Sequence, residues 1–571
     1  MFKNLPQNAL EFMDWSWSQI EPYYQELAER LIYPTNVSSW LSDWSQLSEL
    51  VQETYQRLYV AITVDTTDHE AKRRHDAFLD EIYPKSQSAE EVLKEKILSS
   101  GFNPDGFAIP LQNLRAESEI FCEANLPLLS HELKLSAEYA RIIGAQTIIW
   151  EGKEVTLQQL QPVYQESDRQ KRQLAWRLAA ERQMNDRQVI NDLWVEFMKV
   201  REQIARNAGL PDFRTYRWKR LLRFDYTPED CLRFHQAIEE VVVPAARRLY
   251  DRRREKLGLD SLRPWDLNVD VRGLAPLKPF SKVEQLIEKV SAIIKGVDPQ
   301  LNEFLEIMRR EGLLDLENRK GKAPGGYCTD FAASQRPFIF MNAVGLHDDV
   351  QTLIHEGGHA FHVFESVSLP YIQQKQVGLD FCEVASIGME LLASPYLTIE
   401  KGGFYTSQEA ARARVEFLES AICFWPYMAV VDAFQHWVYQ NPQVAIIPDN
   451  CDKKWAELWD RFMTGVDWSG LELEKVTGWQ HKQHIHGDPF YYIEYGLAQL
   501  GAFQIWRNAL VDQRKAVADY RKALSLGGTV PLPELFNTAG AKFSFDKCLL
   551  QEIVELAEKT LQDLESKISC A

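Results

Sequence analysis

The sequence predicts a mainly α protein with one small β-sheet near its middle, on three observations. Apolar residues recur at three- and four-residue spacing through long windows, as in Leu193, Val195, Phe197, Met198, Val200, Ile204 and Ala205. Helix starts carry capping signals. In DYTPEDCLRFHQAIEEVVV, Thr227 fits the N-cap, Pro228 the first helical position, and Glu229 and Asp230 the turn where the helix dipole favours negative charge. One segment alone, RPFIFMN at 336–342, reads as a strand, a short apolar run opened by Pro337. Proline at a first strand position suits a sheet edge.

Taken in order, residues 1–165 read as an N-terminal helical region rich in Trp and Tyr, and residues 166–571 as a second, larger domain. Helix runs from about 166 to 258. Around 259–275 the segment LGLDSLRPWDLNVDVRGLAP, dense in Pro, Gly and Asp, breaks the periodicity. A helical run at 281–313 follows, then the turn-rich ENRKGKAPGGY at 317–327, then the strand. No repeat and no low-complexity segment interrupts this order.

Of the 571 residues 45% are hydrophobic and 26% charged, the mix of a globular chain able to bury a large core. The 64 basic residues against 82 acidic give a net charge of −18, which argues against nucleic acid as the main partner. The densest basic cluster, Arg247, Arg248, Arg252, Arg253 and Arg254, is interleaved with Asp251 and Glu255 and reads as a solvated helix face. No uncharged apolar run reaches 18 residues, so no membrane span is expected. The opening MFKNLPQNALEFMDWSWSQ lacks the apolar stretch of a secretory signal. Cys122, Cys231, Cys328, Cys382, Cys423, Cys451, Cys548 and Cys570 form no CxxC pair, so free thiols in a reducing cytoplasm are expected.

The chemistry concentrates directly after the strand, in HDDVQTLIHEGGHAFHVFE. His355 and His359 stand at i and i+4 of an HExxH motif, so on a helix both imidazoles can face one zinc ion. Glu356 falls where a general base is needed. The flanking Leu353, Ile354, Ala360, Phe361, Val363 and Phe364 are apolar, so the helix is expected to be buried. A catalytic zinc takes a third protein ligand. Glu383, in LDFCEVASIGMELLASPY, is the choice, with Glu390 on the same helix face orienting a ligating histidine. The reverse assignment and Glu365 are the alternatives. His362 reads as a packed or supporting histidine near the metal ligands.

A second dense segment, WQHKQHIHGDPFYYIEYGLAQLGAFQIW, holds His481, His484 and His486 and then Tyr491, Tyr492 and Tyr495. Tyr492 and Tyr495, three apart, can face one cavity. A phenol or imidazole aimed at the oxyanion of a tetrahedral intermediate lowers its barrier. The same rings could equally form an aromatic packing stripe.

HEGGHAFH followed by DFCEVAS resembles the oligoendopeptidase F, Pz-peptidase and thimet oligopeptidase family of zinc peptidases. LRPWDL (262–267), RKGKAPGGYC (319–328) and HxxxxPFYYIEYG (484–496) are similar to that family's segments, and the likeness covers roughly residues 170–560. The resemblance implies one zinc per chain held by His355, His359 and Glu383, with Glu356 as base. It implies a helical ellipsoid enclosing a deep channel, hydrolysis of short oligopeptides, and an oxyanion received by His484 and Tyr495, with Tyr491 or Tyr492 nearby and His486 competing with His484. It also implies that the strand before the metal helix pairs with substrate, placing Phe338 and Phe340 with Gly325 and Gly326 among substrate-binding residues. This family's spacing of the histidine and tyrosines differs among its thimet-type members.

Overall fold

The computed structural model describes residues 2–6 and 8–569. Cys570 lies outside them, and the seven described cysteines are free. The fold is mainly helical, with two small sheets. The elements that matter here are the helices α1 (Val37–Val64), α2 (Leu126–Gly144), α3 (Pro228–Lys256), α4 (His347–Ser366), α5 (Leu379–Ala393), α6 (Ser407–Gln440), α7 (Tyr492–Ala509) and α8 (Lys547–Ser569). The strands are β1 (Thr147–Trp150), β2 (Lys153–Thr156), β3 (Leu314–Glu317), β4 (Tyr327–Phe331) and β5 (Arg336–Ala343).

Two large cores organise the chain. One gathers apolar side chains between Phe2 and Leu114 around Trp40, Trp44 and Phe107. The other spans residues from Ile120 to Ile568 and includes α4, α5 and α7. The arginines of α3 lie on a charged face, as the sequence suggests: Arg248 pairs with Glu558 of α8, Arg253 with Glu419 of α6, and Arg247 with Asp251. α6 is long and apolar enough to cross a membrane by length and composition, but 61% of its apolar window is buried inside this molecule.

The sheet beside α4 has the order β3-β5-β4, with β3 parallel and β4 antiparallel to β5. The predicted strand is therefore the central one, not an edge. Pro337 is tolerated because β3 first pairs at Ile339, opposite Leu314, so nothing beside Pro337 calls for its missing N–H. β4 is the edge. Ile339 donates its N–H to Leu313 on the β3 side, so by strand alternation Phe340 and its partner Tyr327 exchange the bonds of the β4 ladder. Gly326, Cys328 and Asp330 then turn their peptide groups outward. The hairpin of β1 and β2, joined by Glu151 and Gly152 at φ +49° and +81°, falls in a region the sequence reads as helical.

Candidate zinc centre

α4 begins immediately after β5 because Asp349 closes its N-terminus. The Asp349 carboxylate accepts from the backbone N–H groups of Val344, Gly345 and Leu346 at 2.9, 2.7 and 2.8 Å. The helix then crosses α5 at very short range. A Cβ on Gly358 would stand 2.5 Å from the Ala385 carbonyl oxygen and 2.6 Å from Ser386 Cα, so only glycine lets α5 approach. That approach carries Glu383 to the two histidines.

Glu383 Oε2 lies 3.3 Å from His355 Nε2 and 3.6 Å from His359 Nε2, and one donor atom from each of the three residues lies within 4.8 Å of the others. Glu390 Oε1 sits 2.8 Å from His355 Nδ1, which fixes the ring and leaves Nε2 facing Glu383. Glu365, the other carboxylate considered, pairs instead with Arg521 at 2.6 Å. Glu383 is itself held by two hydroxyls: Ser386 donates to Oε2 at 2.9 Å and Tyr491 to Oε1 at 2.5 Å. Burial works to raise the Glu383 carboxyl, but His359, His355 and the Tyr491 bond bring it down to about 2. Burial opposes charge on His355 too, and there the carboxylates of Glu383 and Glu390 prevail and push it up. On His359 burial prevails and pushes it down to about 4. Two imidazoles and one carboxylate converging in this way make a donor set suited to zinc.

Glu356 is 5% exposed, and its Oε2 has no hydrogen-bond partner. Burial pushes its carboxyl up to about 8, with His355 opposing and Glu383 and Glu390 adding. Gly326 lies over it: a Cβ there would meet Glu356 Oε1 at 3.3 Å and the Phe340 carbonyl oxygen at 3.4 Å. The turn carrying Gly325 and Gly326 is fixed by two residues that the motif reading missed. Asn342 donates to the carbonyls of Ala323 and Gly325 at 2.9 and 2.8 Å, and buried Lys322 reaches Met341 O at 2.5 Å and Asp315 at 2.9 Å. Lys322 stands inside the RKGKAPGGYC segment, so only its role was hidden, whereas Asn342 ends the strand candidate without any motif signal.

On the other side of Glu383, His484 Nε2 and the Tyr495 hydroxyl lie 3.1 Å apart. Both side chains are half-buried, as is Tyr491.

Residues 163–555 match the family described as Peptidase family M3, and residues 8–105 match the Peptidase M3 N-terminal domain. The chain belongs to Peptidase family M3. Among M3 relatives, the oligoendopeptidase F homolog of Mycoplasma pneumoniae is 24% identical over 302 residues, 50% of this chain and 47% of that protein. Oligopeptidase PepF of Bacillus subtilis is 22% identical over 335 residues, 57% of this chain and 47% of that protein. The chain thus spans about half the length of the curated relatives it matches. In structure, Pz peptidase A solved with inhibitor 2 is similar at a TM-score of 0.89 and 29% identity over 99% of both chains. Within that family the chain is thus similar to oligoendopeptidase F homologues and to Pz peptidase.

Several expectations drawn for this M3 chain change on the substrate side. His486 is fully buried, stacked on Tyr139 at 4.3 Å between centroids and on Trp479 at 5.9 Å, with Nδ1 on the Lys482 carbonyl. It sits in the core with no exposed surface, whereas His484 is half-buried. Phe338 and Phe340 are buried within the central strand, Phe340 stacked on Tyr327 at 4.7 Å. Tyr492 is buried too, its ring under Lys482 Nζ at 4.3 Å and beside Phe424. His362 packs on Phe381, and its Nε2 has no partner.

A second group of metal-capable donors, Cys231, Asp432 and His436, is buried between α3 and α6. His235 Nε2 sits 2.8 Å from Asp432 Oδ2, and Arg214 Nη1 lies 3.4 Å from His436 Nδ1. A guanidinium can only donate, so Nδ1 of His436 accepts, and its Nε2 lies 3.3 Å from Asp432 Oδ2. This group reads as a hydrogen-bonded knot between helices.

Proposed function

We propose that the chain is a zinc-dependent endopeptidase that hydrolyses internal bonds of short oligopeptides in cytoplasmic peptide turnover. The observation that carries this reading is the convergence of His355, His359 and Glu383 beside a buried Glu356 carboxylate with an unpartnered oxygen. The donors fit the ion: Glu390 takes the Nδ1 side of His355 and leaves its Nε2 for the metal. When bound, zinc supplies a Lewis acid that polarises the scissile carbonyl and acidifies the attacking water.

The chain's own residues do the rest. Glu356, as the carboxylate, takes a proton from the water and returns it to the leaving amine. Tyr495, hydrogen-bonded to His484, donates to the developing oxyanion. Tyr491 keeps Glu383 in place as a ligand. The outward peptide groups of Cys328 and Asp330 on β4, and of Gly326 just before it, receive the substrate backbone as an added strand. Gly325 and Gly326 leave room for that backbone over Glu356.

Turnover of an internally quenched oligopeptide, with and without a chelator, tests the reading. Loss of cleavage on chelation and recovery with added zinc are expected. Cleavage that persists in chelator, or no cleavage by the zinc-loaded protein, would overturn it.

A further inference from the structure

Phe490, the residue before Tyr491, adopts φ +65°, a left-handed conformation in which a bulky side chain is strained. Three sets of contacts hold it there. Its ring is fully buried against Trp218, His436 and Tyr439, with centroids 5.9, 5.2 and 5.4 Å away. Its N–H donates to Gln435 Oε1 at 2.5 Å. Its carbonyl accepts from Arg223, whose guanidinium also bonds Glu494 Oε1 and lies over Trp218, 4.5 Å from the ring centroid.

Glu494 belongs to the first turn of α7, between Tyr491 and Tyr495. Arg223 therefore ties the strained residue to the turn that presents both tyrosines. The Arg223 and Glu494 side chains are each 1% exposed, and Arg223 Nη1 and Glu494 Oε2 have no partner. A buried ion pair left incompletely bonded is a poor source of stability, and so is an aromatic residue at positive φ. Costs of this kind persist where a fixed geometry serves function.

The geometry points to Gln435, Phe490 and the Arg223–Glu494 pair as positioning residues: together they fix the chain reversal that turns the Tyr491 hydroxyl onto Glu383 and the Tyr495 hydroxyl onto His484. They act through the tyrosines. The inference rests on the roles given to those two hydroxyls under the proposed function. Without the Gln435 acceptor, Phe490 relaxes toward an ordinary φ, and the first turn of α7 rotates both phenols away.

A double-mutant cycle on the zinc-loaded enzyme tests this. Gln435→Met conserves volume and removes the acceptor. At saturating zinc it should lower kcat about 10–100-fold with KM little changed, because transition-state contacts are lost and ground-state binding is not, and it should weaken zinc binding as Tyr491→Phe does, because Tyr491 no longer holds Glu383. In the Tyr491→Phe/Tyr495→Phe background the same change should cost less than about threefold, because the hydroxyls it positions are already gone. Equal losses in both backgrounds, or wild-type kcat for Gln435→Met, would overturn the inference. If Gln435→Met does not fold, Glu494→Gln takes its place in the cycle with the same expected non-additivity. A Tyr491→Phe/Tyr495→Phe enzyme as active as wild type would overturn the tyrosine roles and this inference together. Chelator-insensitive wild-type cleavage would overturn the zinc reading by itself.

Discussion

Gly358 shows how much rests on single atoms in this centre. Any side chain there would push α5 away from α4 and withdraw Glu383 from the histidines, so Gly358→Ala should lower both zinc content and thermal stability. Glu356→Gln separates chemistry from metal binding. The amide leaves all three donors intact, so zinc should stay at one per chain while turnover nearly vanishes; activity within tenfold of wild type at full zinc would displace Glu356 as base. The same variant has a stability signature in the metal-free protein. The folded carboxyl lies near 8, above its unfolded value of 4.5, so its contribution is fully present below pH 4.5 and is lost as pH rises toward 8. Metal-free Glu356→Gln should therefore gain in Tm over metal-free wild type as pH goes from 5 to 8, and a constant difference would contradict the burial argument. The tyrosines should separate by readout. Tyr495→Phe should cut kcat about 10²–10³-fold at little change in KM, the size of one lost oxyanion donor. Tyr491→Phe, which frees Glu383 Oε1, should weaken zinc binding about 10–100-fold. Tyr492→Phe, with its ring in the core, should be the mildest in kcat. If it is instead the most damaging, the oxyanion role moves to that residue.

At the scale of elements, legibility in the sequence follows periodicity. His355, Glu356 and His359 could be placed because 3.6-residue spacing puts i and i+4 on one face, and Glu383 and Glu390 share a face of α5 for the same reason. The long helices showed equally well, since their caps and apolar stripes are local signals. What failed was non-local. Pro337 suggested an edge strand, but an edge is defined by neighbours, and here β3 comes from 20 residues or more upstream and simply stops short of the proline. His486 looked like a site residue because it stands two residues from His484; a short helical turn points one ring inward between Tyr139 and Trp479 and the other toward Tyr495. The β1–β2 hairpin turns on Glu151-Gly152, a weaker signal than Asn-Gly. With β4 as the proposed receptor, a prediction follows that is proper to that element. Cys328 turns its N–H outward, so Cys328→Pro removes a donor from the substrate edge without breaking the ladder to β5. KM for a peptide spanning the site should rise about fivefold or more with zinc retained, since one backbone bond is worth about 1 kcal/mol. An unchanged KM would place the substrate elsewhere.

At the scale of the whole molecule, the N-terminal region packs against the edge strand of the central sheet. α1 lies along β4: Thr63 Oγ1 sits 2.6 Å from the Tyr327 hydroxyl, the Thr63 carbonyl accepts from Ala323 N–H at 2.8 Å, and Glu53 accepts from Ser334 N–H and its hydroxyl at 2.7 Å each. The edge strand that would receive substrate is thus bounded by a helix from the other core, and a cavity lined by Tyr55, Tyr59, Tyr139, Gln483 and Asp488 opens between that helix and the loop bearing His484. Under the proposed reading, substrate reaches β4 past these walls as an extended peptide, which a folded domain, about 25 Å or more across, could not do. Peptides of about 5–15 residues should therefore be cleaved, while a compact folded protein carrying the same cleavable sequence in a structured loop should resist until it is unfolded. Weakening the wall should relax this selection. Glu53→Ala with Thr63→Val removes the side-chain ties to Ser334 and Tyr327 and touches none of the proposed metal donors, so short-peptide kcat should hold while longer, bulkier substrates gain relative to wild type. Equal rates on the short peptide and the folded carrier with the wild-type enzyme would mean that the zinc centre stands in an open cleft and that the N-terminal region does not select substrates by size.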